Sequence, residues 1–434
     1  MNSHLPIAFL YPVEKEMEKY FDRLWPICRS ITGNGLRQSL HILDELVPLA
    51  LTEVPSGVEV FDWTIPDEWN IRDAWIETPN GEKICRLSEN NLHVVNYSVP
   101  VNREINFPQL DKHLHHLPGQ PDAIPYITSY YHRSWGFCLS ENQYQQLPRE
   151  GKYKVFIDAT LAPGSLTYSE AVLPGKTDRE ILFSSYLCHP SMAVNELSGP
   201  LVCAFLFREL EKLADRKYTY RFLFAPETIG VIAFLHHDGI RLKEKLEAGF
   251  VVTCVGHEGK FTYKKSKRAN SLADKAAVHF LQHNRHPSEI IEYAIGGSDE
   301  RQYCSPGFNL PVGSLMRTMY KTYPEYHTSL DNKSIVSFRA LSETVEAYLS
   351  IAQSLELNEC YTSVLPYCEP QLGKRGLYPS SGAWQNRQDF RMNMLHFLSY
   401  ADGSMDLFDI ADKRGKHILE FSDVVATCKQ HGLV

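Results

Sequence analysis

The chain has 434 residues, of which 43% are hydrophobic and 22% are charged, and its formal net charge is −8. This length predicts two or three domains, and the composition is that of an ordinary globular protein. No run of about eighteen apolar residues occurs, so we expect no membrane-spanning helix. The acidic balance argues against general affinity for nucleic acid.

The N-terminus and the cysteines favour a cytoplasmic location. Residues 1–12 lack the basic segment followed by an apolar core that a secretion signal requires. The ten cysteines are scattered and include no C-x-x-C pair. We therefore expect reduced thiols in a cytoplasmic protein.

The first predicted elements are two amphipathic helices between residues 13 and 50, joined by a glycine-bearing turn at 28–35. From about residue 58 to 160 the pattern changes to short strands separated by turn residues, which predicts a β-rich insert or lid. Examples of these strands are 58–63, 83–87 and 92–97.

Segment 126–138 concentrates aromatic side chains with a histidine and an arginine. A core strand with ordinary packing is the first interpretation of this segment. The second interpretation is a pocket wall that recognises the substrate, with Tyr131 and Arg133 as the recognition residues.

Four strand or loop ends in the following α/β region carry a histidine or a glutamate. They are His189 after the strand 180–187, Glu227 after 221–225, His257 after 250–255, and His327 in the loop 323–331. Taken singly, each is readily explained as a residue that caps a turn or a helix start. Because open α/β sheets bind ligands beyond the carboxyl ends of their strands, the four together favour a shared site with metal ligands and a general base.

These residues resemble the ordered motifs of the M28 family of zinc aminopeptidases. The matching positions are His189, 195–199, Glu227 with Gly230, 297–299 and 326–331. The sequence is more similar still to bacterial aminopeptidase-like proteins, long labelled as domains of unknown function, which are often linked to polysaccharide or secondary-metabolite loci. The resemblance covers nearly the whole chain. It implies an α/β fold class: a three-layer zinc-aminopeptidase-like sheet with helices on both faces, a β-rich inserted domain and a C-terminal winged helix.

The resemblance also implies roles for single residues. Glu227 would be the general base. The metal ligands would be His189, Asn195 at the bridging position, His257 and His327.

Three positions depart from the M28 pattern. Asn195 and His257 replace aspartates, and Thr228 replaces the second of two adjacent glutamates. Since a neutral amide offers only a weak oxygen ligand and no charge, these changes leave too little negative charge for two zinc ions. A nitrogen-rich site with room for water remains, so we expect one zinc ion per chain. Such an ion would acidify water and polarise an amide carbonyl, while Glu227 moves the proton to the leaving nitrogen.

Other residues near these motifs allow more than one interpretation. Arg301 and Gln302 follow the 297–299 loop, which borders the active site in the M28 pattern, and could bind a carboxylate of the substrate. Alternatively, Asp299 could simply hold Arg301 in place. Arg29 lies in an Arg-Ser-Ile-Thr-Gly stretch similar to one in the family and could reach the cleft, although a structural role is the better interpretation. The apolar surroundings of Cys188 favour an inert thiol over a nucleophile or ligand.

The C-terminal region begins with a Pro-, Gly- and Ser-rich linker at 365–382. Helices predicted at 388–400, 405–413 and 419–431 have a winged-helix layout. DNA binding would require a basic recognition helix, whereas acids and bases balance here, so we expect protein contact or oligomer assembly. The predicted domains are the N-terminal helices of the peptidase-like domain (1–57), the β-rich insert (58–160), the peptidase-like α/β domain (161–355), and the linker with the winged helix (356–434).

Two classes of function fit these observations. The first is a zinc-dependent, aminopeptidase-like amidohydrolase that acts on a small peptide or on an amide-bearing small molecule in a biosynthetic pathway. The alternative is a non-catalytic binding or scaffold protein with a degenerate peptidase site. For both we expect no membrane or nucleic-acid partner, and a homo-oligomer could form through the winged helix or the insert.

Overall fold

The computed structural model describes residues 12–377 and 384–434, which divide into two compact units. The larger unit comprises the described residues up to 273 together with 288–345. The smaller unit comprises 274–287 and the described residues from 346 onwards. Among the helices of the described residues, none combines the length and the apolar character needed to cross a membrane.

The strands of the described residues all lie in the larger unit. In chain order they are β1 (Ala50–Pro55), β2 (Glu59–Val60), β3 (Trp63–Thr64), β4 (Glu68–Glu77), β5 (Lys83–Ile84), β6 (Val101–Asn106), β7 (Leu114–His115), β8 (Phe137–Cys138), β9 (Lys152–Ala162), β10 (Ser165–Leu173), β11 (Glu180–Tyr186), β12 (Thr219–Ala225), β13 (Leu246–Val251), β14 (Phe261–Lys264), β15 (Ser288–Ile291) and β16 (Val312–Met316).

The helices are distributed over both units. In chain order they are α1 (Pro12–Leu24), α2 (Asn34–Asp44), α3 (Phe107–Leu110), α4 (Glu141–Gln145), α5 (Ser198–Glu211), α6 (Ile229–Lys245), α7 (Leu272–His283), α8 (Glu300–Tyr303), α9 (Phe338–Leu357), α10 (Trp384–Tyr400), α11 (Leu407–Arg414) and α12 (Ser422–Gln430). The helices predicted around 201–213, 270–284, 337–354 and in the C-terminal region are all present, with ends shifted by a few residues.

A mixed eight-stranded sheet forms the centre of the larger unit, in the order β1-β10-β12-β11-β13-β16-β14-β15. The four strands β12, β11, β13 and β16 run parallel to one another. Every residue of β11 is buried, as expected for a central parallel strand that is covered on both faces and therefore reads as an apolar run. Because these strands are parallel, the loops that follow β11, β12 and β13 leave the sheet at the same edge.

Helix α5 approaches this sheet closely at Gly199. A Cβ atom at that position would lie 2.2 Å from the carbonyl oxygen of Val252 and 2.4 Å from Oγ of Ser185. Only glycine therefore allows the first turn of α5 to pack against the ends of β11 and β13. This close packing fixes the loop between β11 and α5.

Strands between residues 59 and 162 form smaller sheets. These are the antiparallel sheet β5-β4-β9-β6, the hairpin β2-β3, and the short parallel pair β7-β8. The strand predicted at 92–97 is not formed. Asn90 instead accepts a hydrogen bond from the N–H of Leu92 and starts a single 3₁₀ turn, Asn91–His93, because an asparagine side chain can compete with strand pairing for a backbone donor.

The smaller unit contains most of α7, the end of α9, and the helices α10, α11 and α12. Its core includes the buried rings of Phe397, Phe408 and Phe421. Helix α11 begins after the N-cap Asp406, whose side chain accepts a hydrogen bond from the N–H of Asp409, and ends at Gly415 in the left-handed conformation.

Candidate active site

A cavity of about 590 Å³ is lined by residues that directly follow β11 and β12. The polar residues of its wall are Cys188, His189, Glu227, Thr228, Arg301 and His327, and the aromatic residues are Trp63, Tyr126, Tyr130 and Tyr131. Five of the predicted site residues therefore line one cavity: Tyr131, His189, Glu227, Arg301 and His327.

The imidazole of His189 is oriented by the buried carboxylate of Glu196. Nδ1 of His189 lies 2.8 Å from Oε2 of Glu196 and 3.3 Å from Sγ of Cys188. The negative charge of Glu196 beside Nδ1 favours the proton on that nitrogen, which leaves the lone pair of neutral His189 on Nε2. Nε2 lies 3.6 Å from Oε2 of Glu227.

The backbone around His189 is fixed by buried charged side chains. Oε1 of Glu196 accepts hydrogen bonds from the backbone N–H groups of His189, at 2.9 Å, and of Cys188. Arg29 is fully buried and donates to the carbonyl oxygens of His189, at 3.3 Å, and Leu24, at 2.6 Å. Burial lowers the pKa of Arg29. Arg29 thus holds the loop from behind and does not line the cavity.

A proton or a metal cation is favoured between His189 and Glu227. Burial disfavours the charged imidazole of His189, but the neighbouring Cys188 and Glu196 outweigh this effect and raise its pKa well above the ordinary value. Burial also raises the pKa of Glu227. Because neighbouring groups of negative charge hold the proton on His189, a cation bound at Nε2 would take the place of that proton.

Glu227 stands at a strained turn between β12 and α6. Its backbone N–H donates to Sγ of Cys188 at 3.3 Å. The next residue, Thr228, has a φ of 65°, which is unfavourable for a β-branched residue, and its N–H donates to Oδ1 of Asp299 at 2.7 Å. Such strain is typical of functional positions, where surrounding contacts fix one conformation.

His327 reaches the same cavity from the loop after β16. Its ring stacks on Tyr326, with 3.9 Å between the ring centroids, and lies 5.4 Å from the ring of His189. Burial lowers its pKa to about 3, so the imidazole is neutral at pH 7. No side chain or backbone group of the described residues makes a hydrogen bond to its ring nitrogens, which leaves a lone pair for a ligand.

Asp331 joins the His327 loop to the loop after His189. Its carboxylate accepts hydrogen bonds from the N–H groups of Val194 at 2.7 Å and Asn195 at 3.0 Å, and from the hydroxyl of Tyr323 at 3.0 Å. These N–H groups belong to a π-helical turn, Ala193–Leu197, that leads into α5. Asp331 therefore acts as the cap of this turn and holds the two loops together.

Asn195 lies in the protein interior and does not line the cavity. Its Oδ1 accepts a hydrogen bond from the hydroxyl of Tyr186 at 3.2 Å, and that hydroxyl also lies 2.6 Å from Oγ1 of Thr253. The amide oxygen that would bridge two cations is thus already engaged.

His257 is not brought to His189 and His327. It lines a second cavity, of about 540 Å³, and its Nδ1 lies 2.9 Å from Oγ1 of Thr318. Strand β13 ends at Val251, earlier than the predicted strand 250–255, so the residues that follow it directly are Val252, Thr253 and Cys254, and Cys254 turns the chain with a φ of 53°. The predicted group of three imidazoles is therefore not assembled in this structure: two share a cavity and the third is elsewhere.

Some of the predicted substrate-binding residues line the first cavity and others do not. Tyr131 and Arg301 line the first cavity, and Nη2 of Arg301 donates to Oγ1 of Thr228 at 2.8 Å. Arg133 points to solvent, where it forms an ion pair with Asp67 at 3.2 Å, and Gln302 is not part of the wall. The carboxylate of Asp299 contacts the backbone of Thr228 and forms no ion pair with Arg301 among the described residues.

Around the cavity, the described residues whose ligand atoms already lie within 4.8 Å of one another are Cys188, His189 and Glu196, whereas His189, Glu227 and His327 offer suitable donor types but are not gathered as closely. His189 offers Nε2, His327 offers a neutral imidazole, and Glu227 offers a carboxylate, which is the nitrogen and oxygen set that zinc accepts. Glu196 on the far side of His189 is the carboxylate partner that commonly orients a ligating histidine. A second cation lacks ligands, since Asn195 and Thr228 are occupied by other hydrogen bonds.

The sequence analysis did not single out Glu196 or two tyrosines of the wall, Tyr126 and Tyr130. Glu196 follows Asn195 directly and stands seven residues after His189, a separation that allows contact across a tight loop. Tyr126 and Tyr130 lie four residues apart in the aromatic segment, and their hydroxyls are 2.6 Å apart.

Residues 18–358 match the family described as a domain of unknown function, DUF4910. The chain belongs to the DUF4910 family. Residues 359–434 of this DUF4910 protein match a winged helix-turn-helix family, so the predicted C-terminal winged helix is confirmed.

Two matches to this DUF4910 protein come from Clostridium acetobutylicum. One is a candidate polysaccharide biosynthesis protein with an aminopeptidase-like domain, which is 44% identical over 400 residues that span 92% of this chain and 91% of the relative. The other is the crystal structure of a candidate peptidase, with 41% identity, a TM-score of 0.91, and coverage of 97% of this chain and 96% of the other.

More distant solved structures share the fold of the DUF4910 protein. A zinc aminopeptidase from Bacillus subtilis has a TM-score of 0.57 at 12% identity and covers 79% of this chain and 93% of its own. A peptidase M28 precursor from Shewanella amazonensis has a TM-score of 0.52 at 13% identity and covers 78% of this chain and 92% of its own. These similarities confirm the predicted resemblance and the aminopeptidase-like α/β fold.

Proposed function

We propose that this DUF4910 protein is a peptidase-type hydrolase that cleaves an amide bond with the help of one zinc ion. The observation that carries the proposal is the meeting of Nε2 of His189, the carboxylate of Glu227 and the imidazole of His327 in one cavity. The aminopeptidase-like fold and the descriptions of the relatives support the reaction class.

His189 and His327 would hold the zinc ion. Both present an imidazole to the cavity, and Glu196 fixes the ring of His189 with Nε2 directed to Glu227. When bound, zinc supplies Lewis acidity toward a carbonyl oxygen and toward water. Two imidazoles leave positions open for water and substrate, which is the arrangement that catalytic zinc requires.

Glu227 is the proposed general base. Its pKa is raised in the direction of neutral pH, and a group whose pKa is near the working pH can both accept and return a proton. In the reaction the amide C–N bond breaks and the oxygen of water ends on the acyl carbon. The proton that water loses passes through Glu227 to the leaving nitrogen.

The proposed substrate is a short peptide or an amide-bearing small molecule. A cavity of about 590 Å³ is within the range of small-ligand sites and is too small for a folded protein. The Clostridium relative is described as a candidate polysaccharide biosynthesis protein. We therefore propose a biosynthetic role for this chain as well.

A non-catalytic binding protein is the second candidate function. It is favoured by the positions of Asn195 and Thr228, where the M28 pattern has carboxylates and this chain has neutral side chains already engaged in hydrogen bonds. The aromatic wall of the cavity would serve a binding protein equally well.

Zinc content and turnover, measured on the same preparations, test the proposal. We expect about one zinc per chain and hydrolysis of simple dipeptides, and we expect Glu227→Gln to keep the zinc and lose activity by about a hundredfold or more. Glu211→Gln, at an exposed glutamate of α5, is the matched control and keeps both. Turnover that survives in Glu227→Gln, or purified protein that takes up no zinc and hydrolyses no dipeptide, would contradict the hydrolase and favour the binding protein.

A further inference from the structure

We propose that Arg301 recognises a single carboxylate on the substrate, next to the amide bond that is cut. We further propose that Trp63 and Tyr131 form the wall against which the side group beside that carboxylate packs. The substrate class is then an amide of an α-amino acid, such as a dipeptide or an N-acyl amino acid. This inference rests on the proposed hydrolase function.

Arg301 is a cation that lies near the carboxylates of Glu227 and Asp299 but forms a direct ion pair with neither among the described residues. Its one side-chain hydrogen bond among the described residues runs from Nη2 to Oγ1 of Thr228, at 2.8 Å, and it forms no ion pair there. A guanidinium carries five N–H donors, so most of them remain available. Because Arg301 lines the cavity, these donors can reach a bound molecule.

The position of Arg301 is fixed relative to the reacting groups. Thr228, which accepts its hydrogen bond, is the residue directly after Glu227. Glu227 returns the proton to the leaving nitrogen in the proposed reaction. An anionic group bound by Arg301 therefore belongs to the leaving amine, and the α-carboxylate of an amino acid is the anion that lies closest to an amide nitrogen.

The surrounding charges favour a carboxylate over a phosphate. Glu227 lies in the cavity wall, and Lys264, the nearby buried lysine, is already engaged by Glu300. A monoanion is matched by one guanidinium, whereas a dianionic phosphate would leave a negative charge uncompensated beside Glu227. Arginine also suits the planar carboxylate geometrically.

The aromatic wall is held in place although it is partly exposed. Trp63 is 39% and Tyr131 is 50% exposed, and their ring centroids are 5.6 Å apart in an edge-to-face arrangement. Phe61, at the tip of the same β2-β3 hairpin as Trp63, contacts the rings of His236 and Phe308 at 5.1 and 5.8 Å. Two large rings fixed at a cavity with open surface offer a site for an apolar side group.

Paired probes test the role of Arg301. We would compare L-alanyl-L-phenylalanine with its C-terminal amide, following the release of phenylalanine or its amide by mass spectrometry. Wild type should prefer the free carboxylate by about tenfold to a hundredfold in kcat/KM, as expected for a hydrogen bond to a charged group. Arg301→Gln should bring the preference close to one, mainly by raising the KM of the free acid relative to that of the amide. Arg301→Lys should retain part of it.

Arg72→Gln is the matched control, because Arg72 is an exposed arginine of β4 paired with Asp158 and lies outside the cavity wall. It should leave the preference unchanged. A wild type without preference, or a preference that persists in Arg301→Gln, overturns the inference. Inhibition by inorganic phosphate at lower concentrations than acetate, lost in Arg301→Gln, overturns the carboxylate in favour of a phosphate.

Binding separates this inference from the hydrolase itself. If no dipeptide is hydrolysed, calorimetric titration of N-acetyl-L-phenylalanine and its amide still tests whether Arg301 binds a carboxylate. Tighter binding of the acid that is lost in Arg301→Gln supports the inference, and equal binding of the two overturns it. Trp63→Ala should weaken binding of the phenylalanine probe but not of N-acetyl-L-alanine, with Trp75→Ala as the control. Weakening of both probes alike contradicts the aromatic wall.

Discussion

The carboxylate of Glu196 holds the imidazole of His189 and the backbone that carries it. Oε2 lies 2.8 Å from Nδ1 of the ring, and Oε1 accepts the N–H of His189 at 2.9 Å. One buried side chain thus determines which nitrogen of His189 faces Glu227. In the proposed site Glu196 orients His189, the first proposed zinc ligand.

Glu196→Gln should weaken zinc binding by about tenfold to a hundredfold, as found for other partners of ligating histidines. The glutamine is close in shape, so the fold should persist, but it lacks the negative charge that favours a cation on the ring. The measurement is competition for zinc with a chromophoric chelator, with Glu211→Gln as the control. Zinc affinity unchanged in Glu196→Gln would show that this contact does not support the metal.

Two histidines should respond oppositely to substitution by alanine. His327→Ala should lose bound zinc and activity, because His327 shares the cavity with His189. His257→Ala should keep both, since its imidazole lines another cavity and contacts Thr318. Elemental analysis after dialysis gives the stoichiometry. Loss of zinc in His257→Ala would return that residue to the ligand set.

Asp331→Asn should lower the free energy of unfolding by about 2–4 kcal/mol, because a buried charged acceptor loses bonds that a neutral amide cannot replace. The carboxylate accepts from Val194, Asn195 and Tyr323, and an amide group would turn an N–H₂ toward some of these donors. Urea denaturation measures the change. Asp62→Asn, at an exposed position, is the control, and a loss below about 1 kcal/mol in Asp331→Asn would refute the capping role.

The smaller unit should lose stability as the pH falls below about 6.5. Burial lowers the pKa of His279 to about 3 and of His417 to about 4. Because these pKa values are lower in the folded state than in the unfolded state, the unfolded chain binds more protons below about pH 6.5. The contribution of these histidines to the free energy of unfolding is therefore complete above about pH 6.5. Below that pH the free energy of unfolding falls by up to ~1.4 kcal/mol per histidine and pH unit.

Hydrogen exchange of the α11 amides at pH 7 and pH 5, corrected for intrinsic rates, would follow this loss locally. The rings of His279 and His417 are 5.0 Å apart, and Nδ1 of His279 lies 2.6 Å from Oδ1 of Asp412. His417→Asn can still accept the N–H of Leu419 but cannot titrate, so its dependence on pH should be shallower. An equal pH dependence of exchange in wild type and His417→Asn would contradict the assignment of this pH dependence to His417.

The strands that build the site could be predicted because their residues are buried on both faces. β11 and β12 appear in the sequence as short apolar runs and lie close to the predicted strands 180–187 and 221–225, whereas the third strand, predicted at 250–255, is β13 at Leu246–Val251. The parallel order of these strands then brings His189 and Glu227 together, as the prediction required. The fold and the approach of His189 to Glu227 thus follow from local pattern and topology.

His257 and Glu196 show where this reasoning ends. The turn at Cys254, with its positive φ, redirects the chain before His257, and nothing in the residue types signals a left-handed cysteine. Glu196 was hidden because a carboxylate next to Asn195 gives no periodic signal. Its role depends on a π-helical turn whose free N–H groups are capped by Asp331, 135 residues further along the chain.

An anomalous difference map from crystals grown with zinc, collected on both sides of the zinc absorption edge, would show directly whether the cavity holds one zinc ion. We expect one strong peak per chain, in the cavity between Nε2 of His189 and the ring of His327. No peak in that cavity, or two peaks a few ångströms apart as in a dinuclear centre, would contradict the proposed single zinc site.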